Sequence, residues 1–100
     1  IFEKHISDIF SIFSKTGLKV HLMQNSALSF SVCGTIAPSE LPFLISEIQK
    51  KYTLKYNEKV NLLTIRHFKN LDIPELFQNQ EILIQQRSRS TLRYVLKEKS

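Results

Sequence analysis

The chain has 100 residues, 42% of them apolar, which leaves room for one globular domain and excludes both a fully disordered polymer and a multi-domain assembly. Fourteen Lys and Arg against nine Asp and Glu give a net charge of +5, which suits an anionic partner without naming one. No run approaches the roughly 18 consecutive apolar residues of a membrane helix, and the opening Ile1-Phe2-Glu3-Lys4-His5 has neither an initiator Met nor a signal-peptide layout, as expected of a piece of a longer chain. Cys33 is the single cysteine, so no internal disulfide and no thiolate zinc cage can form, and a reducing, cytoplasmic setting is expected.

From His5 to Thr16 the residues Ile6, Ile9, Phe10 and Phe13 fall at i, i+3, i+4 and i+7, which predicts an amphipathic helix with Gly17 as its left-handed cap. The period then changes to two. Leu18, Val20 and Leu22 alternate with Lys19, His21 and Met23, Gln24-Asn25-Ser26 supplies a turn, and Leu28, Phe30 and Val32 alternate with Ala27, Ser29, Ser31 and Cys33. A hairpin follows, with the larger apolar side chains on one face and the small residues on the other. Ser39 is the expected N-cap of a second helix striped by Leu41, Leu44, Ile45 and Ile48, with Pro42 tolerated in the first turn. Tyr52–Tyr56 and Val60–Phe68 read as strands around an Asn57-Glu58 turn, Ile73–Gln80 as one or two helical turns from Pro74, and Ile82–Gln86 and Thr91–Leu96 as a second hairpin. The order implies a two-layer α+β fold of ferredoxin-like type, in which residues 1–56 make a βαββαβ unit lacking its first strand and residues 57–100 loosely echo it as a strand, a helical piece and a hairpin.

Catalytic chemistry is hard to assemble from these residues. Gly17 and Gly34 are the only glycines and neither opens a phosphate loop. His5, His21 and His67 have no His or carboxylate at metal-ligand spacing beside them, and the acids are spread singly instead of paired for acid–base work. Cys33 closes a strand of small residues, away from any helix terminus that would activate a thiolate, and reads as a core residue. Two features are left over. Gln24, Asn25, Ser26, Ser29 and Ser31 gather at the hairpin; turn chemistry on a solvated face accounts for them, and so does a small-molecule site whose amides and hydroxyls take the two charged ends of a free amino acid. Arg87, Arg89, Arg93, Lys97 and Lys99 form the only basic cluster, either solvated loop charges or a surface that docks to an acidic face.

The segment Leu18-Lys-Val-His-Leu-Met-Gln-Asn-Ser-Ala-Leu-Ser-Phe-Ser-Val-Cys33 resembles the strand–turn–strand signature of the regulatory ACT domains of aspartate kinases. Tyr56-Asn-Glu-Lys-Val-Asn-Leu-Leu-Thr-Ile-Arg-His-Phe68 and Leu83-Ile-Gln-Gln-Arg-Ser-Arg-Ser-Thr-Leu-Arg93 resemble later segments of the same C-terminal region of the monofunctional bacterial enzymes, in the same order. The resemblance implies ferredoxin-like βαββαβ ACT units with antiparallel sheets that pair side by side in a homodimer. It also implies feedback inhibition by an end-product amino acid, lysine or threonine. The parent enzyme would phosphorylate the side-chain carboxylate of aspartate with ATP and Mg in a kinase domain outside this segment, which itself holds no cofactor and no catalytic residue.

The family's effector site matches Lys19, Val20, His21, Gln24, Asn25 and Ser26 here, with Asn25 and Ser26 binding the ligand's charged ends and the backbone around Val20 and His21 adding N–H and C=O groups. His21 stands where the family usually has Asn or Asp, and Lys4-His5-Ile6 where it has a Gly-Phe-Leu-like run. A ligand-free dimerisation domain is the near variant of this reading. An RNA-binding βαββαβ module is the alternative from another class, but it needs exposed aromatics on the central strands, and Ser29 and Ser31 stand there instead. Neither a nucleic acid nor a membrane is therefore an expected partner.

Overall fold

The computed structural model describes residues 2–67 and 77–99. The fold is α+β with antiparallel sheets, and the chain divides into two compact units, Ile1–Tyr56 and Asn57–Ser100.

The first unit holds α1 (Phe2–Thr16), β1 (Lys19–Asn25), β2 (Phe30–Thr35) and α2 (Leu41–Gln49). α1 stops where the sequence predicts. Gly17 takes φ +71°, and the Leu18 N–H reaches back to the Phe13 carbonyl at 3.2 Å, the wrap-around bond of a Schellman cap. The Thr16 hydroxyl, buried beneath this turn, lies within donating distance of the carbonyls of Ile12 and Phe13, at 3.2 and 3.1 Å. Phe13, Leu22, Cys33 and Ile48 are the buried apolar residues among those described in this unit. The N-terminal half of α1 is tied to the chain just beyond α2: the His5 Nδ1 lies 3.0 Å from the Tyr52 hydroxyl with the rings edge to face, and Lys51 lies 3.7 Å from Asp8.

Two expectations for this unit are corrected. The N-cap of α2 is Glu40, not Ser39, and it makes no side-chain capping bond; Glu40 N–H is taken by the Ala37 carbonyl, so Ser39 is used up inside a turn, while Pro42 does sit in the first turn. Tyr52–Tyr56 is not a strand. The N–H groups of Lys51 and Tyr52 both return to the Ile48 carbonyl, and no neighbouring strand takes the backbone groups that follow. Alternation of side chains describes a strand only where a partner accepts its hydrogen bonds.

The second unit holds β3 (Asn61–Arg66), β4 (Gln80–Arg87) and β5 (Thr91–Glu98) in the order β3-β5-β4, every neighbouring pair antiparallel. β3 and β4 are therefore parallel to one another with β5 inserted between them. The central strand carries the core: Leu92, Tyr94 and Leu96 pack with Phe77, and Leu63 and Ile65 of β3 close over them. The Phe77 and Tyr94 rings lie 4.7 Å apart. Val95, on the other face of β5 between Leu62 and Ile84, is buried as well, as expected of a strand with neighbours on both sides. Lys59 leads into β3 with φ 57°, and Leu83 is an extra residue in β4 that shifts its register against β5. Of the helical turns expected over Ile73–Gln80, residues 73–76 lie outside the described residues, and Gln80 already belongs to β4. Phe68, the expected end of the preceding strand, also lies outside them; β3 ends at Arg66.

Candidate functional site

The β1–β2 hairpin carries every residue expected to touch a ligand. Its register begins with Lys19 opposite Thr35 and Val20 opposite Gly34, and had this continued, Leu22 would face Val32. Instead His21 is an extra residue on β1, and from there Leu22 faces Cys33, Met23 faces Val32, Gln24 faces Ser31 and Asn25 faces Phe30. Residues directly opposite share a face of the sheet, so the bulge exchanges the faces of β2 relative to those of β1. Burial follows the shifted register. Leu22 and its partner Cys33 are buried, while Met23, across from Val32, is 44% exposed. Of the larger apolar residues expected along the second strand, Phe30 and Val32 are half-buried, with the Phe30 ring 6.2 Å from that of Phe10, whereas Leu28 lies before the strand begins.

The bulge explains Gly34. A Cβ built there would stand 2.6 Å from the Lys19 carbonyl oxygen and 3.0 Å from the Leu18 side chain, a separation only glycine permits. Where the backbone bulges, the His21 side chain leans across the pair, and its Nε2 lies 2.8 Å from the Thr35 hydroxyl. Thr35 escapes the sequence reading because nothing local marks it; only the bulge brings it beside His21.

At the other end, the turn expected at Gln24-Asn25-Ser26 lies further on. Gln24 and Asn25 belong to β1, and the reversal runs from Ser26 to Ser29, closed by the Ser26 N–H donating to the Ser29 carbonyl at 2.8 Å. Leu28 is thereby placed at the tip, 98% exposed. The Ser26 and Ser29 hydroxyls are 2.7 Å apart; one proton makes that bond whichever atom donates it, and the other can point outward.

By strand alternation Gln24, Ser26, Ser29 and Ser31 share the face of Leu22 and Cys33, whereas Asn25 lies on the opposite face with Met23, Val32 and Phe30. The hairpin thus brings together Gln24 and Ser26 with two further hydroxyls, sets Asn25 behind them, and leaves Val20 and His21 at the bulge, about 15 Å away at the usual strand rise. What this end can do chemically is donate and accept neutral hydrogen bonds. Of the hairpin's side chains, Lys19 carries the ammonium and His21 the imidazole, both on exposed residues at the bulge end.

Among the described residues there is no group of three or more His, Cys, Asp or Glu side chains placed to hold a metal ion, and no helix long and apolar enough to cross a membrane. Cys33 sits inside the hairpin opposite Leu22, its residue 8% exposed. No protein-family model, no curated protein and no solved structure matches the chain.

Proposed function

We propose that the chain is the effector-binding part of an aspartate kinase's ACT region, a ferredoxin-like unit followed by an abbreviated second one, and that it binds a free amino acid, lysine or threonine, at the turn end of the β1–β2 hairpin. The observation that carries this reading is the row of amide and hydroxyl groups in which Gln24 faces Ser31 and Ser26 faces Ser29. Such a row can donate to a carboxylate and accept from an ammonium without a formal charge of its own, which suits a zwitterion better than it suits an ion of one sign. Asn25 supplies an amide from the opposite face at the hairpin rim.

The architecture supports the same reading. A hairpin flanked by two helices is the middle of a βαββαβ repeat. Two parallel strands separated by an inserted third, as in β3-β5-β4, are a split crossover of the same repeat. In this reading two copies pair through their ACT units, and the effector favours one arrangement of them over another. Inhibition is then a coupling free energy between that arrangement and the kinase domain, where ATP, Mg and aspartate react. The chain contributes no group to the phosphoryl transfer.

Calorimetric titration of lysine and then threonine into the 100-residue chain tests the proposal. Saturable heat from one of them is expected, weakened about 10-fold or more by Asn25→Ala or Ser26→Ala, since a hydrogen bond to a charged ligand group contributes about 1.5–3 kcal/mol. The absence of heat from both amino acids, or affinity unchanged from the parent chain in both variants, overturns it.

A further inference from the structure

A two-stranded sheet consists of edges, and the two edges of the first unit's hairpin differ. β1 is blunted: Lys19 and His21 are exposed on it, and the extra residue His21 interrupts its repeat. β2 carries none of these devices. From Leu22 to Ser39 the sequence holds no Asp, Glu, Lys, Arg or His, its only proline is Pro38, and β2 runs from Phe30 to Thr35 without an extra residue. Among the described residues β2 has no neighbouring strand on the side away from β1.

The bond that closes the turn fixes which backbone groups point to that side. Ser26 N–H donates to the Ser29 carbonyl, which marks these two as a hydrogen-bonded pair, and in an antiparallel ladder such pairs alternate with pairs whose backbone groups face outward. Followed along the register, the bonded pairs are Gln24 with Ser31 and Leu22 with Cys33. The N–H and C=O groups of Phe30, Val32 and Gly34 are therefore directed away from β1. An open row of this kind, on a strand without charge, is a template for another strand.

We infer that β2 is the pairing edge of this chain and that its occupant is β2 of a second copy, running antiparallel to it across a two-fold axis at Val32. The inference rests on the pairing of copies in the reading above and names the edge that makes it. Only this alignment sets all three outward residues against outward residues: Val32 meets its own counterpart, and each Phe30 meets Gly34 of the other copy, which has no side chain to compete with the ring. Ser31 then faces Cys33 of the second copy in a pair without mutual backbone bonds, the closer of the two kinds. Two uncharged edges meet without repulsion, whereas two β1 edges would set Lys19 and His21 against their own counterparts. The product is a four-stranded sheet, β1-β2-β2-β1, whose outer strands are the blunted ones, so association closes at two copies and does not continue into a fibre.

Sedimentation equilibrium of the 100-residue chain should show a dimer at about 100 μM. Val32→Lys, which sets two ammonium groups at the axis, should weaken it about 30-fold or more. Met23→Lys, the same charge across the register on β1, should leave it unchanged, with the fold of both variants checked by circular dichroism. Ser31→Cys tests the register without adding charge: on oxidation it should give a covalent dimer in which the introduced thiol is joined to Cys33 of the second copy, read by mass spectrometry of the digested protein. Four results overturn the inference: a monomer at that concentration, growth beyond the dimer, no greater weakening by Val32→Lys than by Met23→Lys, or a disulfide between the two introduced thiols. The effector reading is judged separately. A monomer that binds lysine or threonine refutes the pairing alone, and a dimer that gives no heat with either refutes the site at the turn alone.

Discussion

Gly34→Ala is the substitution whose outcome follows most directly from the hairpin. The new methyl would sit 2.6 Å from the Lys19 carbonyl oxygen, about 0.8 Å short of the 3.4 Å at which ordinary contact begins, and 3.0 Å from the Leu18 Cδ1. The first obstacle is backbone, so relief requires the bulge at His21 to open, not a side chain to rotate. Overpacking of this kind costs about 1–3 kcal/mol, offset by about 0.5–1 kcal/mol because alanine loses less backbone entropy than glycine in a strand. The middle of these ranges leaves a net loss of about 1–1.5 kcal/mol, which at about 4–8 °C per kcal/mol for a unit of 60–100 residues lowers Tm by roughly 4–12 °C. Thermal and urea unfolding followed by circular dichroism measures both quantities.

Gly17→Ala provides the contrast. Its Cβ meets nothing within 4 Å, and its cost comes only from φ +71°, about 1–2 kcal/mol. The two glycines therefore separate by rescue: asparagine, which tolerates the left-handed region, should restore much of the loss at position 17 and none at position 34. Gly34→Ala within about 0.5 kcal/mol of the parent chain, or recovery by Gly34→Asn, would refute the reasoning from the bulge.

Leu28→Ser should change stability by less than about 0.5 kcal/mol because the side chain is 98% exposed, whereas an inward-facing leucine at that position would cost about 1.5–3 kcal/mol; chemical denaturation decides between them. Leu92→Ala, at 2% exposure in the Phe77–Tyr94–Leu96 cluster, should cost about 2–5 kcal/mol by the same measurement. Lys59, held at φ 57°, should accept glycine with little loss, while Lys59→Val should cost more than about 1 kcal/mol, since a β-branched residue fits that conformation worst. A double-mutant cycle with His5→Ala and Tyr52→Phe should return a coupling of about 0.5–1.5 kcal/mol for the bond between α1 and the chain after α2, and zero coupling would show that the pair is not made in solution.

Much of the fold is legible locally. The i, i+3, i+4, i+7 stripe from Ile6 to Phe13 and the glycine after Thr16 specify α1 and its cap, and Leu41 to Ile48 specify α2, because helix periodicity and capping are satisfied within a few residues of chain. Alternation likewise locates β1, β3, β4 and β5 to within a few residues. Where a segment needed a distant partner, the same alternation misled. Tyr52–Tyr56 has the pattern of a strand and no neighbour to make it one, and Leu28 has the phase of an inward residue until the turn forms between Ser26 and Ser29.

The candidate site divides along the same line. That Gln24, Asn25, Ser26, Ser29 and Ser31 belong to one hairpin was readable from their order alone. Which of them share a face was not, because a single extra residue, His21, moves the register by one and exchanges the faces of β2. The sequence by itself determined the elements, the capping glycine and the polar character of the hairpin end. Tertiary structure alone decided the Gly34 close approach, the His21–Thr35 contact, and the pairing of Gln24 with Ser31 and of Asn25 with Phe30. The reason is physical: periodicity is set by bonds between near neighbours, while register and strand order are set by which backbone groups, far apart in sequence, satisfy one another.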